Sequence, residues 1–99
     1  MKHVNVTDVP SDAQLIDVRE RDEFAEVHAA GAVNLPLSEL IATYNQIDTE
    51  RDIYVICRSG GRSAQACEYF EQAVGWDPEH LINVEGGTIA WVEANLPTQ

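Results

Sequence analysis

The sequence predicts an α/β fold, a mainly parallel sheet with helices on both faces. Three observations predict it. Short apolar stretches alternate with helical patterns along the whole chain, the order that builds parallel strands joined by crossover helices. One stretch, Ile53-Tyr54-Val55-Ile56, is β-branched or aromatic throughout, as a strand buried on both faces tends to be. It runs into Cys57, a tight polar loop and a further helical pattern. A reactive side chain is thereby delivered at the carboxyl end of a strand, where open α/β sheets place their ligand sites.

The elements follow in order. His3-Val4-Asn5-Val6 alternates weakly and reads as an edge strand. Thr7 to Asp12 holds turn and cap residues, enough for one helical turn. Gln14 to Val18 is a second strand, with Asp17 and Arg19 at its carboxyl end. Arg21 to Val27 reads as a short helix, Phe24 and Val27 sharing a face. Ala32 to Leu35 is a short strand stopped by Pro36. Ser38 is placed to cap a helix running to about Tyr44, with Leu40, Ile41 and Tyr44 at core spacing. Asp48 to Asp52 is a polar connection into the Cys57 strand. Ser63 to about Val74 is helical, with Ala66, Cys67, Phe70 and Val74 as its apolar stripe, and Gly75 ends it. His80 to Val84 is the last strand. Gly86-Gly87 turns the chain into a final helix through Ile89, Trp91, Val92 and Leu96, ending at Pro97, with Trp91 as a core anchor.

Composition bounds the function. Ninety-nine residues suit one domain, 1–99, with one modest core. Six Lys and Arg against 17 Asp and Glu give a formal net charge of -11, which argues against a nucleic-acid or anionic-membrane partner. The chain opens on polar sequence with no apolar signal segment, and no stretch is long enough to cross a bilayer. With two cysteines in such a chain, the expected compartment is the reducing cytoplasm. His3, His28, His80 and the cysteines show none of the usual metal-ligand spacings, so neither metal nor cofactor is expected.

The acidity makes the arginines informative, because two of the six basic residues, Arg58 and Arg62, flank a glycine pair beside Cys57. Gly60 and Gly61 can take positive φ and let the backbone curl over the cysteine. Successive N–H groups then form an anion nest, and the helix N-terminus adds positive potential. Such surroundings lower a thiol pKa from ~8.5 into the range ~3.5–7.5. Cys57 is therefore the candidate nucleophile. Cys67 lies more than a turn into the following helix, where each residue rises ~1.5 Å. That puts it beyond the roughly 7 Å Cα separation of an unstrained disulfide with Cys57, and it reads as buried and inert.

The stretch Cys57-Arg58-Ser59-Gly60-Gly61-Arg62-Ser63 resembles the active-site loop of single-domain rhodaneses, a sulfurtransferase family. Leu15-Ile16-Asp17-Val18-Arg19-Glu20 with Glu23-Phe24 resembles the family's first strand and turn. Glu85-Gly86-Gly87-Thr88-Ile89-Ala90-Trp91 resembles its C-terminal signature, and His28, Gly31-Ala32 and Asn34-Leu35-Pro36 match a fourth, weaker stretch. The likeness runs from about residue 3 to residue 96. Val27, where the family has glycine, and Ala29-Ala30, where it has Ile-Pro, depart from the pattern. The resemblance implies a five-stranded sheet, and a role for Asp17 and Arg19 in bracing the active-site loop and shaping its mouth; Asp17 is the expected acidic partner of Arg62, another being hard to find in a shared layer. His28 reads as a structural, hydrogen-bonding residue rather than a catalyst, since persulfide chemistry needs no added base once the thiolate exists.

The implied reaction is double displacement. Cys57 thiolate takes the outer sulfur of thiosulfate or of a persulfide donor, holds it as a persulfide among the N–H groups of Arg58 through Ser63, and gives it to cyanide or to a thiol, that of a protein included. Arg58 is placed to hold the anionic donor and Arg62 to support the loop. Two other classes stay open. A non-catalytic regulatory module or protein-persulfide carrier uses the same fold. A phosphatase or arsenate reductase also suits a cysteine in an arginine-ended loop, but Cys57 and Arg62 enclose four residues, where the phosphatase-like relatives enclose five.

Overall fold

The computed structural model describes residues 1–99. Five strands form one sheet: β1 (Lys2–Asn5), β2 (Gln14–Asp17), β3 (Val33–Asn34), β4 (Ile53–Ile56) and β5 (Leu81–Glu85). Their order is β1-β5-β4-β2-β3 and every pairing is parallel. All five therefore point their carboxyl ends at one edge. β4 lies at the centre because its residues are the most uniformly apolar, Ile53, Val55 and Ile56 being buried.

Four helices connect or follow the strands: α1 (Arg21–Glu26), α2 (Leu40–Thr43), α3 (Gly61–Tyr69) and α4 (Gly87–Glu93). The period-two alternation of the strands divides the core between the two faces. Val55 and Leu81 pack with Leu40 of α2, with Ala66 and Cys67 of α3, and with Phe70 just beyond it. Leu15, Ile56 and Val84 point the other way, onto Trp91 of α4 and Val6. Phe70 is completely buried and stacks on Trp76 with ring centroids 4.6 Å apart.

Several local expectations are corrected. Ser38 caps no helix; it lies inside a 3-10 turn, Leu37–Glu39, and its hydroxyl donates to Glu20 at 2.8 Å. The segment continues through α2 into another 3-10 turn, Tyr44–Gln46. These tighter turns rotate Ile41 outward to 80 % exposure, so it is not a core residue. The helix after the loop starts at Gly61 rather than Ser63 and widens after Tyr69 into a π-type turn, Phe70–Val74, closed by Gly75 at φ +85°. Ile89 and Val92 do not join Trp91 in the core; both are exposed. The C-terminal residues also pair back on the chain: His28 and Gln99 exchange two backbone hydrogen bonds of 3.1 and 2.8 Å. His28 is a structural residue as expected, its Nδ1 lying 2.7 Å from the Phe24 carbonyl and its ring stacked on Phe24. No helix is long and apolar enough to cross a membrane.

Candidate active site

Cys57 leaves β4 at the carboxyl edge, and the loop to α3 folds back over it. Gly60 takes φ +114°, a conformation that glycine alone adopts without strain. This turns its N–H onto the Cys57 sulfur at 3.1 Å. Gly61 is already the first residue of α3 and needs no positive φ, so only one glycine of the pair serves the curl. The Ser63 hydroxyl stands 3.3 Å from the same sulfur. Cys57 is 1 % exposed. That burial opposes ionisation and is the largest single influence on the thiol. The Ser63 hydroxyl and the N–H groups of Ser63, Gly60 and Ser59 together outweigh it and hold the thiol below its ordinary pKa.

The loop is clamped from behind by the second glycine pair. Thr88 donates to the Cys57 carbonyl through its N–H at 2.8 Å and its hydroxyl at 3.0 Å, and the Ile89 N–H donates to the Arg58 carbonyl at 3.1 Å. A Cβ on Gly87 would lie 2.5 Å from the Arg58 and Cys57 carbonyl oxygens, so no side chain fits there. The start of α4 thus satisfies the carbonyls of the loop whose N–H groups face the sulfur.

Asp17 and Arg19 are both buried and form a forked pair, with Nε donating to both carboxylate oxygens at 3.1 Å and Nη2 to Oδ2 at 2.9 Å. Arg19 also donates to the carbonyls of Glu23 and Val27, at 3.3 and 2.7 Å. The pair therefore ties β2 to α1. Asp17 is not the partner of Arg62. Glu23 is, accepting from its two terminal nitrogens at 2.6 and 2.8 Å. Asp17 has both its oxygens taken by Arg19, leaving Arg62 to the carboxylate that α1 projects. The Arg62 hydrogen bond is the largest influence on Glu23, whose pKa falls from 4.5 to about 2. Glu23 also accepts from the Glu20 N–H at 3.2 Å in the capping box that starts α1.

Arg58 is exposed and lines a cleft of about 460 Å³ together with Arg19, Glu23, Val27, Thr88 and the exposed Ile89 and Val92. Ser59 is exposed as well. A second cavity, about 230 Å³, lies between Val6, Leu15, Trp91 and Leu96 and contains no titratable group. No three His, Cys, Asp or Glu side chains are grouped to hold a metal ion.

A rhodanese-like domain family model matches residues 5–94. The chain belongs to the rhodanese-like domain family. Among its relatives, a sulfurtransferase of Allochromatium vinosum is 37% identical over 87 residues, 87% of this chain and 78% of that protein. The crystal structure of a rhodanese-related protein from Thermoplasma volcanium matches this rhodanese-like fold with a TM-score of 0.88 at 30% identity, covering 100% of this chain and 98% of the other. A rhodanese-like domain protein from Staphylococcus aureus matches with a TM-score of 0.78 at 31% identity, over 92% and 91% of the two chains. The family is one of sulfur transfer, which implies a sulfur donor and an acceptor in general terms.

Three contributors to this rhodanese-like site have roles that the sequence does not show. Glu23 was part of a motif, but its pairing with Arg62 depends on where α1 lies. The two hydrogen bonds from Thr88 to Cys57 depend on the α4 start meeting the loop. Asn83 had a signal of its own, a lone amide in the apolar run Leu81-Ile82-Asn83-Val84, and it is buried beside Ser63.

Proposed function

We propose that residues 1–99 form one rhodanese domain that works as a sulfurtransferase through a Cys57 persulfide. The observation that carries this reading is the sulfur of Cys57 lying under the Gly60 N–H at 3.1 Å in a loop of backbone donors. A cradle of that size suits one anionic sulfur. Thiolate attacks the outer sulfur of thiosulfate, the S–S bond breaks and sulfite leaves with its electron pair; a persulfide donor releases a thiolate instead. The terminal sulfur of the Cys57 persulfide takes the negative charge and is held by the N–H groups of Arg58, Ser59, Gly60, Gly61, Arg62 and Ser63. Attack by an acceptor thiolate or cyanide on that sulfur then regenerates Cys57 thiolate.

The arginines divide the electrostatic work. Arg58, exposed in the cleft, meets the anionic donor. Arg62, neutralised by Glu23, keeps α3 and α1 in register beside the loop. The forked Asp17–Arg19 pair holds α1, and through it Glu23. Two unpaired cysteines suit the reducing cytoplasm as the working compartment.

The test is intact-protein mass after incubation with thiosulfate, and in parallel with glutathione persulfide. The expected result is a gain of one sulfur atom, lost on adding cyanide or a thiol and absent in Cys57→Ser. An unchanged mass with both donors would replace this reading with that of a binding module.

A further inference from the structure

The Ser63 hydroxyl has a single proton and three acceptors around it. They are the Cys57 sulfur at 3.3 Å, the Gly60 carbonyl at 3.1 Å and the side-chain oxygen of Asn83, which is in close hydrogen-bond contact. When Cys57 is a thiol, the accounting closes: the S–H donates to Ser63 and Ser63 donates to Asn83. When Cys57 is a thiolate, the sulfur can only accept, and the Ser63 proton must turn toward it. Asn83 then faces the hydroxyl oxygen's lone pairs. A fixed carbonyl in that place would repel them; an amide does not have to. Turned about its last torsion, Asn83 presents Nδ2 to Ser63 and donates.

We propose that Asn83 is a positioning residue for the sulfur-transfer nucleophile, its amide turning so that the one proton of Ser63 is committed to the Cys57 thiolate. This rests on the reading of Cys57 as the nucleophile. The step moves no proton beyond the one that Cys57 loses to solvent or to the departing group. Ser63 O–H leaves Asn83 Oδ1 and bonds the sulfur, and Asn83 N–H bonds Ser63 Oγ. At the outer end of the amide, one of the two neighbours can serve both positions. The amide nitrogen lies 3.4 Å from His3 Nδ1 and 3.4 Å from the Gly60 carbonyl. The exposed imidazole can accept in one position and donate in the other, whereas the Gly60 carbonyl only accepts, so turning the amide gives up that contact. Asn83 is 4 % exposed on β5, and Ser63 is fully buried at the first turn of α3. Water is thereby kept from competing for the hydroxyl. An amide among Leu81, Ile82 and Val84 is otherwise a poor strand-core residue.

The other charged groups near the loop are placed differently. Arg62 is held by Glu23 and Arg19 by Asp17, Arg58 faces the cleft, and His3 touches only the far side of Asn83 besides Glu85. None of them has a contact that can turn the Ser63 hydroxyl.

The experiment is the pH dependence of Cys57 alkylation by iodoacetamide, measured on the full chain in a Cys67→Ala background. It needs no sulfur donor, so it reports on Asn83 even if the persulfide reading fails, which the mass experiment decides separately. Ser63→Ala should lower the neutral-pH alkylation rate about tenfold, the scale of one hydrogen bond to a charged group. Asn83→Leu should lower it by a comparable factor, and the double variant should be no slower than Ser63→Ala alone. An unaltered profile in Asn83→Leu, or effects that multiply in the double variant, would overturn the proposal. Circular dichroism checks that each variant folds; if Asn83→Leu does not, the smaller Asn83→Ala takes its place in the same cycle, with the same two outcomes decisive.

Discussion

Cys57 and Cys67 belong to one apolar cluster, at 1 % and 0 % exposure, and their thiols are driven in opposite directions. Burial raises the Cys67 pKa to about 12, from an ordinary 9.0, with the nearby carboxylates of Glu71 and Glu68 adding to the rise. The same desolvation acts on Cys57 and is overridden there by Ser63 and three backbone N–H groups. The difference teaches that burial by itself does not make a cysteine inert. What counts is whether the surrounding backbone has unspent donors. The Cys67 sulfur lies on α3, whose N–H groups are largely committed to helix hydrogen bonds. The Cys57 sulfur lies at the mouth of a loop and the first turn of a helix, where N–H groups have no helical partner.

The sharpest test of this contrast is selective alkylation of the native chain near neutral pH. Cys57 should react at least about a hundredfold faster than Cys67, which should be labelled only after denaturation. Peptide mapping reads the ratio, and labelling of Cys67 first would break the comparison. Next in size is Gly87→Ala. Its methyl group would drive into the carbonyls of Arg58 and Cys57 at a position with φ +58°. We expect a loss of about 1–3 kcal/mol in denaturant unfolding, with slower Cys57 alkylation because the loop donors are displaced.

The two thiols should also act on stability with opposite signs of pH dependence. Cys67 ionises near 9.0 when unfolded and at about 12 when folded, so the native chain holds its proton longer. Stability then falls as pH rises from 9.0 towards 12, and Cys67→Ala should flatten that limb of the urea midpoint against pH. Cys57 is depressed in the folded chain. Its contribution is present above the unfolded value and is lost as pH falls through the folded one, so Cys57→Ser should remove stability on the alkaline side. A Cys57→Ser chain that gains stability there would refute the assignment of donors to this sulfur.

The smallest expected effect concerns the ion pair behind the loop. Glu23 ionises at about 2 in the folded chain against 4.5 when free. Its stabilising effect is present above 4.5 and is lost as pH falls through about 2. Both side chains are about one-third exposed, so the pair is worth about 0.2–1 kcal/mol. Arg62→Ala should remove that amount at neutral pH, and the difference from wild type should vanish by pH 2. A thermal-unfolding series between these limits measures it.

Much of this was legible from local pattern. The strands were readable because short apolar stretches bounded by turn residues leave few alternatives, and β4 was the clearest since it alone is β-branched or aromatic throughout. The Cys57 loop was readable from its residue types, and the turn at Gly86-Gly87 from a glycine pair between a strand and a helix. The helix after Pro36 was not readable at its true boundaries. Leu40, Ile41 and Tyr44 satisfy a 3.6-residue period, but flanking 3-10 turns tighten the segment and put Ile41 in solvent. The partner of Arg62 is not legible in the sequence for a different reason. Asp17 and Glu23 are both acidic residues in the right motif, and only their three-dimensional positions separate them.

The sequence by itself determined the class of fold, the candidate nucleophile and the presence of a donor-rich loop, because periodicity, turn chemistry and residue type are local properties. Only the tertiary structure decided which carboxylate neutralises which arginine, that Thr88 secures the loop carbonyl, and that Asn83 faces Ser63. Those choices depend on strand order and on how α1, α3 and α4 meet at the sheet edge. The energies that select them come from contacts between residues far apart in the chain, such as Ser63 with Asn83 and Arg62 with Glu23, and no local pattern encodes that distance.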